Sequence, residues 1–445
     1  MFNNIIQFTQ NKLQFIYKNS YFLQCIDLFI LLFILATFVL STVFSSDAIG
    51  FFALVVMFLT AVKMIFRTGE KFTIKSFEYW LLLYFLIVVI SLFGSTLFSL
   101  SLKGFFKTFV YLGFYVSVVQ YLKTNKKQIP LVLGTIALCT VGEAFIGFLQ
   151  SFLHLNEIST WQDTSRLNPE DVISRVYGTL KPLNPNLFGG YLISGFPVVL
   201  GSVFYFVYKK LNKMAFIMLG ATLLSIYTIF QTGCRGAYLA LMLIIGLTFL
   251  LCLKFFGKKY KKLCVTLISS FGILFVLSIM CVNSLRLRFL SIFAMRNDSS
   301  NSFRFNVYHS ALEMFKDNWL LGIGVGNKNF REIYGLYMKT GFDALSAYNI
   351  YLEIAVESGI FALIAFLGFI FDMVLNSIKF IFTTKNTENI ILVSISLIAI
   401  LAVLFHGFVD TIFFRPQLQF TFWTFVAIIT VLLPQKNTTS NTNND

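Results

Sequence analysis

The chain has 445 residues, 57% of them hydrophobic and 12% charged, with a mean hydropathy of +0.78. Soluble proteins carry about a quarter of their residues as charges, so this composition excludes a cytosolic enzyme, a secreted disulfide scaffold and a nucleic-acid-binding domain. The formal net charge of +15 is therefore read against membrane topology and anionic head groups, with no nucleic acid as partner.

A bilayer-crossing helix needs about 20 apolar residues. The sequence offers such stretches near 22–44, 48–66, 77–100, 104–121, 129–153, 187–208, 214–231, 236–256, 263–283, 350–372, 389–409 and 417–433. They predict an all-α fold class, a polytopic membrane helix bundle of about 12 transmembrane helices forming one domain over 22–433. Residues 1–21 mix Ile5, Ile6, Phe8, Leu13, Ile16 and Tyr17 with Asn, Gln and Lys, the pattern of an interfacial segment rather than a signal peptide. Residues 434–445 are Asn- and Thr-rich and read as a disordered tail. Cys25, Cys139, Cys252, Cys264 and Cys281 lie in or beside apolar runs without metal-ligand spacing, so they read as small hydrophobes. Neither a metal nor a cofactor is predicted.

Lysines fill alternate short loops, among them Lys123, Lys126 and Lys127, Lys209, Lys210 and Lys213, and Lys379 and Lys385. The positive-inside tendency makes these loops and both termini cytoplasmic. The longer loops 154–186 and 284–349 then share the outer face, which also receives nine of the ten arginines. Topology would be served equally by lysine. Guanidinium differs in binding phosphate or carboxylate oxygens in pairs, so we expect an outer anion site drawn from Arg166, Arg175, Arg235, Arg286, Arg288, Arg296, Arg304, Arg331 and Arg415. The alternative is that these side chains snorkel to lipid phosphates or pair with acids in the loops.

Five segments carry the candidate chemistry. Asn184-Pro185-Asn186, downstream of Arg175, breaks the backbone before an apolar run, and Asn186 is the expected helix cap. Gly233-Cys234-Arg235-Gly236 puts an arginine between two spans, making Arg235 the foremost single candidate. Phe303, Val307, Ala311, Met314 and Phe315 recur at helical spacing and predict an amphipathic helix on the membrane surface with Arg304 near its start. Gly322, Gly324 and Gly326 read as a flexible turn, because no strand precedes them to make a nucleotide loop. In the fourth segment Glu353 and Glu357 share a helical face and point to the bundle or an outer arginine. In the fifth, His406 and Asp410 also stand four apart, so the carboxylate is expected to hold the imidazole or raise its pKa. Glu143 is an isolated acid within a span.

These residues carry a resemblance. From about Arg175 to Leu433 the chain resembles the O-antigen ligase and polymerase superfamily of bacterial membrane proteins, through Gly233-Cys-Arg235-Gly236, Leu320-Leu-Gly-Ile-Gly-Val-Gly-Asn327 and Asn349-Ile-Tyr-Leu-Glu353 with Glu357-Ser-Gly359. Gly178-Thr-Leu with Asn184-Pro-Asn186, Ala344-Leu-Ser-Ala-Tyr348, and Asp410-Thr with Phe414-Arg415-Pro416-Gln417 are most similar to a cyanobacterial branch named as inorganic-carbon (bicarbonate) transporters. The resemblance implies a bacterial cytoplasmic (inner) membrane protein, and two functions follow. A bicarbonate transporter would meet its anion with Arg175, Arg235, Arg304 and Arg415, supported by Asn186, Asn349, Glu353, Glu357 and Asp410. A glycan ligase would transfer a sugar chain from a polyprenyl-diphosphate carrier, holding the diphosphate with Arg235 and Arg304 and using a histidine directly before Asn349 as base. That position is Tyr348, a poor general base at neutral pH, which leaves His309 and His406 as substitutes and the question of enzyme or transporter open. A third reading is a non-catalytic relative that binds a lipid-linked glycan or a partner protein.

Overall fold

The computed structural model describes residues 12–66, 74–155, 175–255 and 299–434, with isolated positions between 266 and 290. Among the described residues the chain is all helical. We number α1 Ile26–Ser41, α2 Ser46–Phe66, α3 Ser76–Gly94, α4 Phe98–Thr124, α5 Ile129–Phe152, α6 Pro185–Tyr208, α7 Asn212–Gln231, α8 Arg235–Phe255, α9 Ser299–Asp317, α10 Asn327–Tyr334, α11 Ile350–Thr383, α12 Thr387–His406 and α13 Pro416–Leu432. Nine described helices are long and apolar enough to cross a membrane, and α1 and α13 are shorter apolar helices. The chain is thus a multi-pass membrane protein in which eleven of the twelve expected spans are helices. The twelfth, 263–283, falls outside the described residues apart from isolated helical positions.

Helix starts follow local chemistry. Asn184 caps α6 by accepting from the amides of Asn186 and Leu187, with Pro185 in the first turn. The expected cap, Asn186, is already inside the helix. Its amide is one of the donors the cap satisfies, and its side chain is engaged elsewhere. Asn349 caps α11 in the same way through Tyr351 and Leu352.

Helices α6, α12 and α13 form the interior of the bundle, and their side chains are buried almost throughout. Small residues let the backbones approach: a β-carbon at Gly201 of α6 would stand 2.2 Å from Ile395 of α12. Other helices turn Phe51, Leu54, Phe58, Leu82 and Phe93 outward, as expected of a surface solvated by lipid tails.

Helix α11 is broken. Gly359 adopts φ 80°, ψ 176°, and the segment Trp319–Gly324 fills the gap. The amides of Ile323 and Gly324 donate to the carbonyls of Val356 and Glu357, and the Ile360 amide donates to Trp319, each at 2.9 Å. The glycine turn expected to be flexible is therefore pinned. Nor does the apolar face of α9 rest on the membrane surface as predicted. Val307, Ala311 and Met314 pack with Ile323, Phe330, Tyr334, Ala347 and Val356 into a core of the protein's own, because α10 and the start of α11 offer a complementary apolar face.

A β-carbon at Gly359 would lie 2.2 Å from the Leu320 carbonyl oxygen, in a backbone region open only to glycine. Gly359→Ala is expected to cost about 1–3 kcal/mol and to lower the unfolding temperature of the detergent-solubilised protein.

Candidate active site

A cavity of about 510 Å³ opens where α6, α11 and α13 begin and α12 ends. Lys107 of α4, Asn184 and Asn186 at the head of α6, Ser300 and Arg304 of α9, Tyr348, and Asp410, Thr411 and Arg415 of the α12–α13 connection line it. Three cations and one carboxylate face it among the described residues, leaving it positive.

Arg304 is held but not satisfied. Its Nη1 donates to Ser300 Oγ at 2.9 Å, its guanidinium lies 5.9 Å from the centre of the Tyr348 ring, and its Nη2 is 3.9 Å from Asp410 Oδ2. The buried Nε has no hydrogen-bond partner among the described residues. A buried donor without an acceptor costs about 1–3 kcal/mol, so Arg304 is held in the cavity wall at a cost. Arg415 sits at the cap of α13, and its guanidinium makes no ion pair or hydrogen bond with the described residues.

Arg175 behaves differently. It is 5% exposed, and its Nε donates to the Thr232 carbonyl at 2.7 Å while Nη2 donates to Asn186 Oδ1 at 2.5 Å. It ties the segment before α6 to the α7–α8 turn. The Gly233-Cys-Arg-Gly236 motif makes room on both sides of that turn. A β-carbon at Gly233 would come to 3.0 Å from Arg175 Nε, and one at Gly236 to 2.8 Å from His406 Nε2. Arg235 opens α8 half-buried and does not line the cavity. Arg331 pairs with Asp343 at 2.7 Å on the exposed surface. Arg286 is an isolated exposed position, and Arg166, Arg288 and Arg296 lie outside the described residues.

The two glutamates are used structurally. Glu353 Oε2 accepts from the Ala347 amide at 2.9 Å and Glu357 Oε1 from the Gly326 amide at 2.8 Å, so both carboxylates anchor loops in place of meeting an arginine. Glu143 likewise accepts from the amide and hydroxyl of Thr179.

Of the candidate bases, His309 is on the exposed side of α9 and does not line the cavity. His406 is buried, its Nε2 lies 3.4 Å from Cys234 Sγ, and its Nδ1 has no partner among the described residues. The expected grip of Asp410 on His406 is absent, because α12 ends at His406 and the intervening residues are no longer helical. Tyr348 does face the cavity. Burial, and next the Asp410 carboxylate, push its phenol up to about 12, so roughly one molecule in 10⁵ is ionised at pH 7. Lys107 also lines the cavity. Lys103 and Lys107, four residues apart in an otherwise apolar span, were the available signal.

Removing Arg175 strands the buried Thr232 carbonyl and frees the half-buried Asn186 Oδ1. Arg175→Ala is expected to lose about 1–3 kcal/mol of stability, whereas Arg304→Ala leaves the thermal midpoint within a few degrees. Unfolding of both purified variants checks the contrast.

No curated protein matches the chain. Residues 220–367, a third of its length, match the family model for O-antigen ligase, a stretch that includes the Arg235 motif, Arg304 and Tyr348.

Proposed function

We propose that this protein is a glycan ligase that transfers a sugar chain from a polyprenyl-diphosphate donor to an acceptor hydroxyl at the outer face of a bacterial cytoplasmic membrane. The observation that carries this reading is the junction of two unlike spaces. The cationic cavity shares Lys107 and Pro416 with a second, mostly apolar cavity of about 250 Å³, lined by Asp47 and by Gly50, Phe51, Leu54, Phe106, Val110, Tyr111 and Phe420 between α2, α4 and α13. Phe51, Leu54 and Phe106 of this groove are exposed on the apolar outer surface. A diphosphate with a hydrocarbon tail fits such a pair of compartments. Bicarbonate, with a volume comparable to one or two waters of about 30 Å³ each, requires neither the large cavity nor the apolar annexe. The lysine-rich turns at Lys209, Lys210 and Lys213 and at Lys385 lie at the opposite end of the helices, which supports an outer position for the cavity and cytoplasmic termini.

In this reading Arg304, Arg415 and Lys107 hold the diphosphate. The acceptor oxygen bonds to the anomeric carbon, the bond from that carbon to the diphosphate oxygen breaks, and the electron pair leaves with the diphosphate. Charge grows on that oxygen during the step, and fixed donors in a partly dry pocket stabilise it more strongly than water does.

A bicarbonate transporter is the second reading. Discontinuous helices mark many transporter sites, and α11 is discontinuous at Gly359. Here the gap is filled by Trp319–Gly324, and the cavity's cations gather at one end of the bundle, so this reading ranks below the ligase.

Two measurements on one deletion strain separate them. Surface polysaccharide is expected to change and isotopic bicarbonate uptake to stay the same; the reverse result rejects the ligase. In a reconstituted transfer assay, Arg304→Ala and Arg415→Ala are each expected to lower turnover about 10²–10³-fold. Arg304→Lys is expected to restore only part of it, because ammonium does not reproduce the guanidinium fork.

A further inference from the structure

The transfer step needs a group to take the acceptor proton, and Tyr348 is held neutral. We infer that Asp410 is that general base. The inference rests on the ligase reading and adds a catalytic residue to it.

Asp410 is the one carboxylate among the described residues lining the cavity. It is largely buried, at 6% exposure. Oδ1 accepts from the Thr411 amide at 2.8 Å, which fixes the side chain. Oδ2 accepts no hydrogen bond from the described residues, and its nearest cation, Arg304 Nη2, stands off at 3.9 Å. An oriented carboxylate oxygen with a free lone pair, in a pocket that also holds the anion's arginine, has the geometry of a base beside a leaving-group site.

Its position relative to residue 348 supports the assignment. The Asn349 side chain donates to the Phe408 carbonyl at 3.1 Å, and the Tyr308 hydroxyl lies 3.1 Å from the Tyr348 carbonyl and 3.5 Å from that of Phe408. These bonds bind the connection after α12 to the segment before α11, so a carboxylate at 410 and a side chain at 348 serve the same space. The competing groups do not line the cavity: Glu353 and Glu357 receive loop amides, His406 is buried against Cys234, and His309 is on the outside of α9.

In the proposed step Oδ2 takes the hydroxyl proton as the acceptor oxygen bonds to the anomeric carbon. The carbon–oxygen bond to the diphosphate breaks, and its electron pair stays on the diphosphate beside Arg304 and Arg415. The carboxylic acid so formed returns its proton to water in the open cavity, regenerating the carboxylate.

The test uses the full chain in proteoliposomes with a polyprenyl-diphosphate-linked oligosaccharide and a saccharide acceptor. Asp410→Asn keeps an acceptor for the Thr411 amide and is expected to lower kcat by at least about 10²-fold with the donor KM within about threefold. Asp410→Glu retains a carboxylate and is expected to stay well above the Asn variant. Adding Tyr348→His to Asp410→Asn is expected to recover at least tenfold, since imidazole then supplies the base from the adjoining position. An Asn variant as active as the Glu variant, or one whose loss lies in the donor KM alone, overturns the proposal and leaves Asp410 as a support for Arg304. A wild-type protein inert with the lipid-linked donor removes the ligase reading itself, a result distinct from an active wild type with an active Asn variant.

Discussion

Polar backbone inside or beside a bilayer must find its partners within the protein, and the cavity end of this bundle is organised around that requirement. Breaking α11 at Gly359 frees carbonyls at Val356 and Glu357, and the returning strand of chain from Trp319 to Gly324 takes them up. Once that strand is seated, Glu357 receives the Gly326 amide and Glu353 the Ala347 amide. Helices α9 and α10 are thereby set on top of α11. The cavity's roof, where Arg304 lies over the Tyr348 ring, follows from this docking.

The arginines show how partnering separates scaffold from chemistry. Arg175 is engaged by a carbonyl and an amide oxygen, and Arg331 by an exposed carboxylate. Arg304 keeps a buried nitrogen without an acceptor, and its carboxylate neighbour remains at 3.9 Å. A closer pair would turn the guanidinium's hydrogens onto the carboxylate. At this separation neither group is hydrogen-bonded to the other.

Hydropathy made the bundle legible, since a span is a long run of one chemical character and survives any detail of packing. The amphipathic period of α9 was equally plain, but its destination was not. Period gives a face without saying whether lipid or protein covers it, and here Phe330, Tyr334 and Val356 do. The Asn184-Pro-Asn186 turn was visible, while the choice of capping asparagine depended on which side chain Arg175 reached. His406 and Asp410 misled because four-residue spacing implies a shared face only while the helix continues, and α12 stops at the histidine. Lys107 was hidden by its apolar neighbours. Only the fold brings it to the heads of α6 and α13.

The cavity draws on segments from α4 to the start of α13, some three hundred positions apart along the chain. No partial insertion product contains it. A polypeptide arrested before its last span lacks Arg415 and the wall that Pro416 and Phe420 give to the lipid-facing groove. The cationic cavity and its apolar neighbour are therefore complete only once the last described helix is in place.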